Sequence, residues 1–355
     1  MKAFVQDEYG SPDMKYHRVV VTRHGGPDVL QVVEEDLPEP GAGEVRVKVL
    51  VAGVSVFDLL YRRWGRLPGS PQVPFALGED VVGVVDKLGE GVSSLELGQN
   101  VAGATFCLGV GGGYAEFICL PEGELVPVPL GLDPAEAVCL VANYLTAHLH
   151  LHRIARVRSG ERVLVHGAAG GVGTALLELG KLAGLEMYGT ASKYNHELVS
   201  ALGVTPIDYR TDDFVERIRS FTGDGVDAVV DTVGGARLLW RSYRTLRKGG
   251  RLVWLGSAAT KEKGLRVGLL SLPMVFLLNL IPDSKQAPMT PDLGTFSKAH
   301  NDWYRETLTE LLDLLAAGRI KPVVAERIPL VEAARAHELL ERGGYAGKVV
   351  LVTSV

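Results

Sequence analysis

The architecture of this chain follows from eleven residues, Val163-Leu164-Val165-His166-Gly167-Ala168-Ala169-Gly170-Gly171-Val172-Gly173. A short apolar strand over 162–166 runs directly into a glycine-rich turn, and a helix is predicted to follow over 172–183. Glycines let the backbone approach a pyrophosphate closely, and a helix N-terminus offers that anion free N–H groups and the positive end of a dipole. Ala168 stands in the place of the first glycine, and a turn used for packing alone is the alternative. The strand–turn–helix setting favours a dinucleotide-binding turn.

The segments around this turn alternate between strand and helix patterns. A helix is predicted over 134–154, because Asp133 is a good N-cap and Pro134 suits a first helical turn. Further strands are predicted over 186–190, 206–208, 228–231 and 251–255, with a helix over 194–202. This alternation predicts an α/β fold with a doubly wound, parallel Rossmann sheet.

The two ends of the chain are rich in β-strand patterns instead. Valine-rich segments bounded by Gly or Pro predict strands over 18–22, 29–34, 44–52, 80–88 and 100–104, and two more follow over 323–328 and 348–352. We therefore predict a β-rich domain from residues 1–133 and 305–355, and a Rossmann domain from residues 134–304. A cleft between two such domains is where we expect a small-molecule site.

Composition excludes several classes of function. The formal net charge of −5 leaves no basic excess for phosphate backbones, so nucleic-acid binding is not expected. The three cysteines, Cys107, Cys119 and Cys139, form no C-x-x-C pair, which argues against disulfides and fits a cytoplasmic protein. The most apolar segment, 265–282, is interrupted by Arg266 and Pro273, so no integral membrane association is expected.

The residues after the second strand of the Rossmann pattern indicate the cofactor. An NAD site has Asp or Glu there to hold the ribose hydroxyls. Here the strand ends Gly189-Thr190-Ala191-Ser192-Lys193, with no acid. Ser192 and Lys193 can bind a 2′-phosphate, and Tyr209 after the third strand can add a phenol contact. The alternative for Lys193 is an ordinary solvated lysine. Together these residues predict NADPH.

Beyond these features, the chain resembles the medium-chain dehydrogenase/reductase superfamily, and within it the zinc-free quinone oxidoreductase branch, near the zeta-crystallin-like and vesicle amine transport protein groups. The motifs that carry this resemblance are Gly53-Val54-Ser55-Val56-Phe57-Asp58, Leu77-Gly78-Glu79-Asp80, Asn143-Tyr144-Leu145-Thr146-Ala147, Asp231-Thr232-Val233-Gly234-Gly235 and Gly318-Arg319-Ile320-Lys321-Pro322. The resemblance implies a GroES-like β-rich catalytic domain beside the Rossmann domain.

The resemblance also bears on the metal. Zinc alcohol dehydrogenases of the superfamily use an early Cys, a Gly-His-Glu and a later Cys. The matching places hold Ser55, Gly78-Glu79-Asp80 without His, and Asn143. A catalytic zinc needs about three N, S or carboxylate ligands from the protein, so we expect no metal.

The remaining site residues are those that the resemblance implies. Ser55, Asp58 and Asn143 are the predicted catalytic residues, although Asp58 can instead cap local backbone. The tyrosine of the family motif is absent from Arg63-Trp64-Gly65-Arg66-Leu67-Pro68. Tyr61, Trp64 and Tyr144 are therefore predicted to line the substrate pocket instead, and packing is the alternative for each of them. The predicted cofactor-binding residues are Ala169, Gly170, Gly171, Val172, Gly173, Ser192, Lys193, Tyr209, Val233, Gly234, Leu255, Gly256 and Ser257.

We therefore expect an NADPH-dependent, zinc-independent reductase of quinones or related electron-poor carbonyl compounds. Reduction of enone or 2-alkenal double bonds is the alternative. A non-catalytic NADPH-binding protein, redox-sensing or crystallin-like, and a specialised pathway enzyme are alternatives of other classes. The expected partners are a small-molecule substrate and a second copy of the chain in a homodimer. The apolar residues of 265–303 suggest a subunit interface, a flap over the substrate or a peripheral membrane contact, and residues 5–13 echo 20–28 without an assigned role.

Overall fold

The computed structural model of the chain describes residues 14–64, 72–105, 111–256 and 266–353. The chain divides into a first unit of residues 1–138, 327–338 and 349–355 and a second unit of residues 139–326 and 339–348. The sequence-based domain boundaries at 133/134 and 304/305 stay predictions. The helix Asn301–Ala316, which crosses the later boundary, belongs to the second unit, because it packs on the helical segment 140–148. Residues 1–13 and Ser257 lie outside the described residues.

The strands of the described residues are, in chain order, β1 (Lys15–Val21), β2 (Leu30–Asp36), β3 (Glu44–Val54), β4 (Phe75–Ala76), β5 (Asp80–Leu88), β6 (Asn100–Ala104), β7 (Phe117–Pro121), β8 (Leu125–Pro127), β9 (Arg162–His166), β10 (Glu186–Ala191), β11 (Thr205–Asp208), β12 (Val226–Asp231), β13 (Leu246–Trp254), β14 (Val324–Pro329) and β15 (Lys348–Val352). The strands predicted from the sequence are all among them, with ends shifted by a few residues.

The α-helices of the described residues are α1 (Val56–Trp64), α2 (Pro134–Cys139), α3 (Leu145–His148), α4 (Gly171–Leu182), α5 (His196–Ala201), α6 (Phe214–Thr222), α7 (Ala236–Thr245), α8 (Arg266–Asn279), α9 (Leu293–Ala299), α10 (Asn301–Ala316) and α11 (Ala333–Arg342).

Antiparallel sheets make up most of the first unit. One sheet has the order β2-β1-β4, and a larger one runs β14-β15-β3-β5-β6-β8, with β7 also paired to β3. Val349 of β15 lies opposite Val54 of β3, so the C-terminal strand joins a sheet whose other strands come mostly from the first third of the chain. The predicted β-rich fold of the chain ends is confirmed.

A five-stranded parallel sheet is the framework of the second unit. Its order is β11-β10-β9-β12-β13, with β9 in the centre. Val165 of β9 lies beside Gly189 of β10 and Val230 of β12, and β12 is buried along its whole length. Such continuous burial is typical of parallel strands that helices cover on both faces. The predicted doubly wound Rossmann sheet is confirmed.

The helical segment before β9 is less regular than predicted. The predicted helix over 134–154 is α-helical in α2 and α3, but it forms π-helical turns at Leu140–Tyr144 and Leu149–Ile154. A π-turn inserts an extra residue into the helical ladder and is frequent at functional sites. Asn143, one of the predicted catalytic residues, lies within the first of these wide turns.

The apolar segment 265–282 contains helix α8, with Pro273 inside it. Val275 and Leu278 are buried in the core of the second unit, whereas Leu269 and Phe276 are 72% and 57% exposed. Among the residues that the structure describes, no helix is long and apolar enough to cross a membrane.

Candidate functional site

The glycine turn after β9 has the backbone geometry that the sequence predicts. Gly167 lies in the left-handed region at φ +73°, and Gly170 is the extended residue before α4. A Cβ on Gly173 would overlap the carbonyl oxygen of Gly167 and lie 2.7 Å from that of Ala168. A larger residue at 173 would therefore push the turn away from the first turn of the helix.

This turn contains N–H groups that the helix itself does not bond. The first N–H groups of α4, those of Gly171, Val172 and Gly173, have no acceptor within the helix, because the ladder starts with the N–H of Thr174 bonded to the carbonyl of Gly170 at 2.8 Å. The first turn of α4 contains no acidic residue. Residues 169–173 therefore suit a pyrophosphate, because they offer it N–H donors and let it approach the backbone closely.

Asn143 stands beside this turn. A Cβ on Gly171 would overlap the side-chain Nδ2 of Asn143, so the amide occupies the space that a side chain at 171 would need. The π-helical turn at Leu140–Tyr144 carries Asn143 to this position. The structure thus brings a predicted catalytic residue to the predicted cofactor turn, and its catalytic role stays a prediction.

The carboxyl ends of β9, β12 and β13 meet around Thr232. The Thr232 hydroxyl donates to the carbonyl of His166 at 2.8 Å. A Cβ on Gly167 would overlap that hydroxyl, and a Cβ on Gly256 would overlap the backbone carbonyl of Thr232. Glycine at both positions is therefore a steric requirement, and it lets three strand ends pack with their backbones almost in contact.

Asp231, the last residue of β12, holds two loops at this edge of the sheet. Its carboxylate oxygen Oδ1 accepts hydrogen bonds from the N–H groups of Val233 at 2.8 Å and Gly234 at 3.0 Å. Its backbone carbonyl accepts from the N–H groups of Leu255 at 3.1 Å and Gly256 at 3.0 Å. These are the described members of the two loops predicted to contact the cofactor.

Burial raises the pKa of the Asp231 carboxyl to about 6, although the N–H groups of Gly234 and Val233 oppose the rise. Its second oxygen, Oδ2, is buried and has no hydrogen-bond partner among the described residues. Asp231 belongs to one of the motifs of the sequence, but the sequence alone assigns it no role. The available signal was an acid directly after the apolar residues Ala228-Val229-Val230 and directly before Thr232-Val233-Gly234-Gly235.

The residues predicted to select NADPH follow two neighbouring strands. Ala191 of β10 lies beside Asp208 of β11, so Ser192, Lys193 and Tyr209 all emerge at the carboxyl ends of this strand pair. Lys193 is exposed and has no carboxylate partner among the described residues, and Tyr209 is 56% exposed.

Arg210 adds a cation to this edge that sequence reasoning missed. Its guanidinium lies 5.6 Å from the centre of the Tyr209 ring, and its backbone N–H donates to the Asp208 carboxylate at 3.0 Å. Hydroxyl, ammonium and guanidinium groups together form a suitable site for a phosphate group.

In the first unit, Ser55 and Asp58 form a reciprocal cap at the N-terminus of α1. The Asp58 carboxylate accepts from the N–H of Ser55 at 2.7 Å, and the Ser55 hydroxyl accepts from the N–H of Asp58 at 3.2 Å. This is the capping-box arrangement, with an acid three residues after the N-cap serine. The other Asp58 oxygen accepts from the N–H of Gly78 at 3.0 Å. These contacts are the ones expected if Asp58 caps local backbone. The catalytic role of Asp58 stays a prediction.

A buried hydrogen-bonded chain extends from this cap. The Tyr114 hydroxyl donates to Asp58 at 3.2 Å and lies 3.1 Å from Nε2 of His337, which comes from α11. Burial raises the pKa of Asp58 to about 6, and the nearby Asp80 carboxylate adds to the rise. Burial, together with the Arg62 guanidinium, holds the pKa of His337 well below its usual range, so the imidazole is neutral at pH 7.

The three predicted pocket residues differ in their surroundings. Tyr61 and Trp64 are half-buried on α1, and the Arg63 guanidinium lies 5.6 Å from the centre of the Trp64 ring. Tyr144 is fully buried in the second unit, and its hydroxyl donates to Glu178, which also accepts from the N–H of Lys321 at 3.0 Å. These contacts of Tyr144 are the ones expected if the residue serves packing. That the three residues line the substrate pocket stays a prediction.

For a metal ion, the described residues contain no group of three or more His, Cys, Asp or Glu side chains that could hold one. The positions that correspond to zinc ligands in the resemblance hold Ser55, Glu79 and Asn143, and a serine hydroxyl and an amide are poor zinc ligands.

The pKa of Asp231 makes a prediction about stability. The folded chain keeps this carboxyl protonated up to about pH 6, whereas the unfolded chain ionises it near its ordinary value of 3.8, so the wild type loses stability as the pH rises through this window. Asp231→Asn cannot ionise and keeps one acceptor oxygen. We expect the difference in unfolding free energy, variant minus wild type, to rise by up to about 3 kcal/mol between pH 4 and pH 7.

Urea unfolding at both pH values measures this difference. Asp224→Asn is the matched control, because the Arg162 guanidinium lowers the pKa of Asp224, so that this carboxylate is ionised in the folded and the unfolded chain over most of this pH range and the difference from wild type should stay nearly constant. A difference between Asp231→Asn and wild type that does not vary with pH would contradict the assignment.

Two family models match the chain. One, described as an alcohol dehydrogenase GroES-like domain, matches residues 41–130, and one described as a zinc-binding dehydrogenase matches residues 202–351. The chain is 31% identical to quinone oxidoreductase 1 of Escherichia coli (strain K12), over 94% of this chain and 99% of the relative. It is 33% identical to the synaptic vesicle membrane protein VAT-1 homolog of Rattus norvegicus, over 94% of this chain and 83% of the relative.

Solved structures are similar over the same length. The Escherichia coli quinone oxidoreductase complexed with NADPH matches with a TM-score of 0.82 and 28% identity, covering 95% of this chain and 99% of that one. The CurK enoyl reductase matches with a TM-score of 0.80 and 27% identity, covering 96% and 100%. By its sequence and its fold, the chain belongs to the quinone oxidoreductase branch of the medium-chain dehydrogenase/reductase superfamily.

Proposed function

We propose that the chain is an NADPH-dependent reductase that transfers a hydride to quinones or related electron-poor carbonyl compounds without a metal ion. The observation that carries this proposal is one edge of the parallel sheet, where a pyrophosphate turn, a phosphate-binding cluster and two glycine-containing loops follow neighbouring strands. The names of the relatives and the NADPH complex of the Escherichia coli structure support the same reaction.

The cofactor residues divide by the part of NADPH that each would hold. Residues 169–173 bind the pyrophosphate through backbone N–H groups, and Ser192, Lys193 and Tyr209, assisted by Arg210, bind the 2′-phosphate end. The loops 233–234 and 255–257 take the nicotinamide end. Bound NADPH supplies the hydride, and the protein provides position and polarity.

The chain's own groups prepare the acceptor. The Ser55 oxygen accepts the N–H of Asp58, which leaves its O–H free to donate to a carbonyl oxygen of the acceptor. Asp58 holds Ser55 and the loop at Gly78 in position. Asn143 offers an amide donor beside the pyrophosphate turn. A donor aimed at the oxygen where negative charge develops lowers the barrier to hydride transfer. Tyr61, Trp64 and Tyr144 are the residues that we propose to contact the acceptor.

Double-bond reduction of enones or 2-alkenals is the second candidate function. The observation that favours it is the structural similarity to the CurK enoyl reductase. The same carbonyl donor serves both reactions, because hydride addition to a conjugated double bond also places negative charge on the carbonyl oxygen.

A panel of quinones and enones, with NADPH consumption as the readout, tests the proposal and separates the two candidates. Replacing Ser55 by alanine should lower kcat/KM by about 10²-fold, because one donor to the developing oxyanion is lost. Ser220→Ala is the matched control, since this exposed hydroxyl bonds only its own helix. Absence of turnover with every acceptor would overturn the proposal, and tight NADPH binding in that case would indicate a non-catalytic binding protein.

The cofactor preference gives a separate prediction. Lys193→Ala should weaken NADPH binding by about 1–2 kcal/mol and change NADH binding little, because the lost interaction is a charge-assisted hydrogen bond to the 2′-phosphate. Dissociation constants of both cofactors measure this, with Lys181→Ala in the last turn of α4 as the matched control. Equal losses for the two cofactors would contradict the assigned role of Lys193.

We also propose that the chain is a homodimer that uses the exposed face of α8. Leu269, Leu270 and Leu277 are 72%, 61% and 57% exposed, more than a surface helix in water usually leaves uncovered. Light scattering should give twice the mass of one chain, and Leu269→Glu with Leu277→Glu should halve it. Leu130→Glu, at a 90% exposed position of the other unit, should not. A monomeric wild type would contradict this proposal.

The proposed location is the cytoplasm, because Cys119 and Cys139 are free thiols and a reducing compartment keeps them so. Cell fractionation with an antibody against the chain tests it, and recovery of the chain outside the cytoplasmic fraction would contradict it.

A further inference from the structure

A basic cavity lies at the amino ends of β9 and β13, in the second unit. Its volume is about 660 Å³, and six cationic side chains line it, while Glu161 is its one acidic lining residue. The cationic residues are Arg153, Arg156, Arg158, Arg247, Lys248 and Arg251. The pyrophosphate turn follows the opposite, carboxyl end of β9, a strand length of roughly 15 Å away. The cavity is therefore separate from the proposed NADPH site.

Two of the six cations are neutralised by the protein and build the cavity wall. The Arg251 guanidinium donates to Glu161 at 2.6 Å and to the carbonyl of Ala155 at 2.7 Å, which ties the loop before β9 to β13. The Arg247 guanidinium donates to the buried Asp227 at 2.5 Å. These pairs hold the wall but leave no acid for the other cations.

The four remaining cations have no carboxylate partner among the described residues. Arg156 and Lys248 are exposed, and so are Arg153 and Arg158. The Arg153 guanidinium lies 5.9 Å from the centre of the Trp303 ring, and Arg156 Nε bonds only the carbonyl of Arg153 at 3.4 Å. Such a concentration of positive charge in a chain of net charge −5 raises the local potential and attracts anions.

The backbone of Arg156 gives an independent observation. Its φ of +51° lies in the left-handed region, and no other non-glycine residue of the described chain has a positive φ. A residue with a Cβ is strained there, and such strain concentrates at ligand-binding sites. Glycine would relieve the strain but would remove a guanidinium from the cavity.

We propose that this cavity binds a small polyphosphate, a molecule with at least two linked phosphate groups. Guanidinium groups bind phosphate oxygens in pairs, and four cations match the charge of such a ligand better than that of a single sulfate. The volume lies within the usual range of small-molecule sites. This binding site goes beyond the proposed reductase function and does not depend on it.

Calorimetric titration of inorganic tripolyphosphate into the NADPH-saturated protein tests the proposal, because the cofactor site is then filled. Arg156→Gly removes the guanidinium and relaxes the backbone, so the variant should be at least as stable as wild type. We expect it to weaken tripolyphosphate binding at least about tenfold, and Arg156→Gly with Lys248→Ala to weaken it further.

Arg217→Ala is the matched control, because Arg217 is a half-exposed arginine of α6 that does not line the cavity, and it should change the affinity less than about twofold. The proposal is overturned if tripolyphosphate fails to bind, if sulfate binds equally well, or if the cavity variants bind tripolyphosphate like wild type. Binding that disappears when NADPH is added would assign the anion to the cofactor site and would also overturn it.

Discussion

The site at the carboxyl edge of the parallel sheet depends on the close approach of three strand ends around Thr232. Gly167 and Gly256 lie so near this residue that neither position has room for a Cβ. The Thr232 hydroxyl in turn bonds the carbonyl of His166 at the end of the central strand. Because interiors this dense transmit small displacements, the pyrophosphate turn and the loop at 255–256 are positioned by the same contact.

In each unit, a buried carboxylate fixes the conformation of a loop by accepting backbone hydrogen bonds. Asp231 ends β12 and Asp58 lies in the first turn of α1, and each accepts two backbone N–H groups, so that a loop takes one conformation. Burial raises the pKa of both to about 6, which means that the fold retains these acids at a cost in stability. Replacing such an acid by an apolar residue would leave two N–H groups without an acceptor, which costs more than the acid does.

Local patterns in the sequence were sufficient for the strands, the glycine turn and the helix that follows it, because each is encoded by neighbouring residues. The Asp58–Tyr114–His337 chain was not predictable in this way, since Tyr114 and His337 are 223 residues apart and meet only in the folded protein. The π-helical turn at Asn143 was not predictable from the sequence either, because its apolar spacing resembles that of an α-helix. Arg210 was missed because one arginine after a strand is common on protein surfaces.

The pairing of β15 with β3 has a consequence for the order in which the chain can fold. Val349 to Val352 lie opposite residues 51–54, so the large sheet of the first unit lacks an inner strand until residues 348–352 leave the ribosome. The parallel sheet of the second unit is complete once β13 has been made. The sheet of the first unit is therefore completed after that of the second unit. Residues 44–48 of β3 can pair early with β7, but residues 51–54 keep an unpaired edge while almost three hundred residues are synthesised.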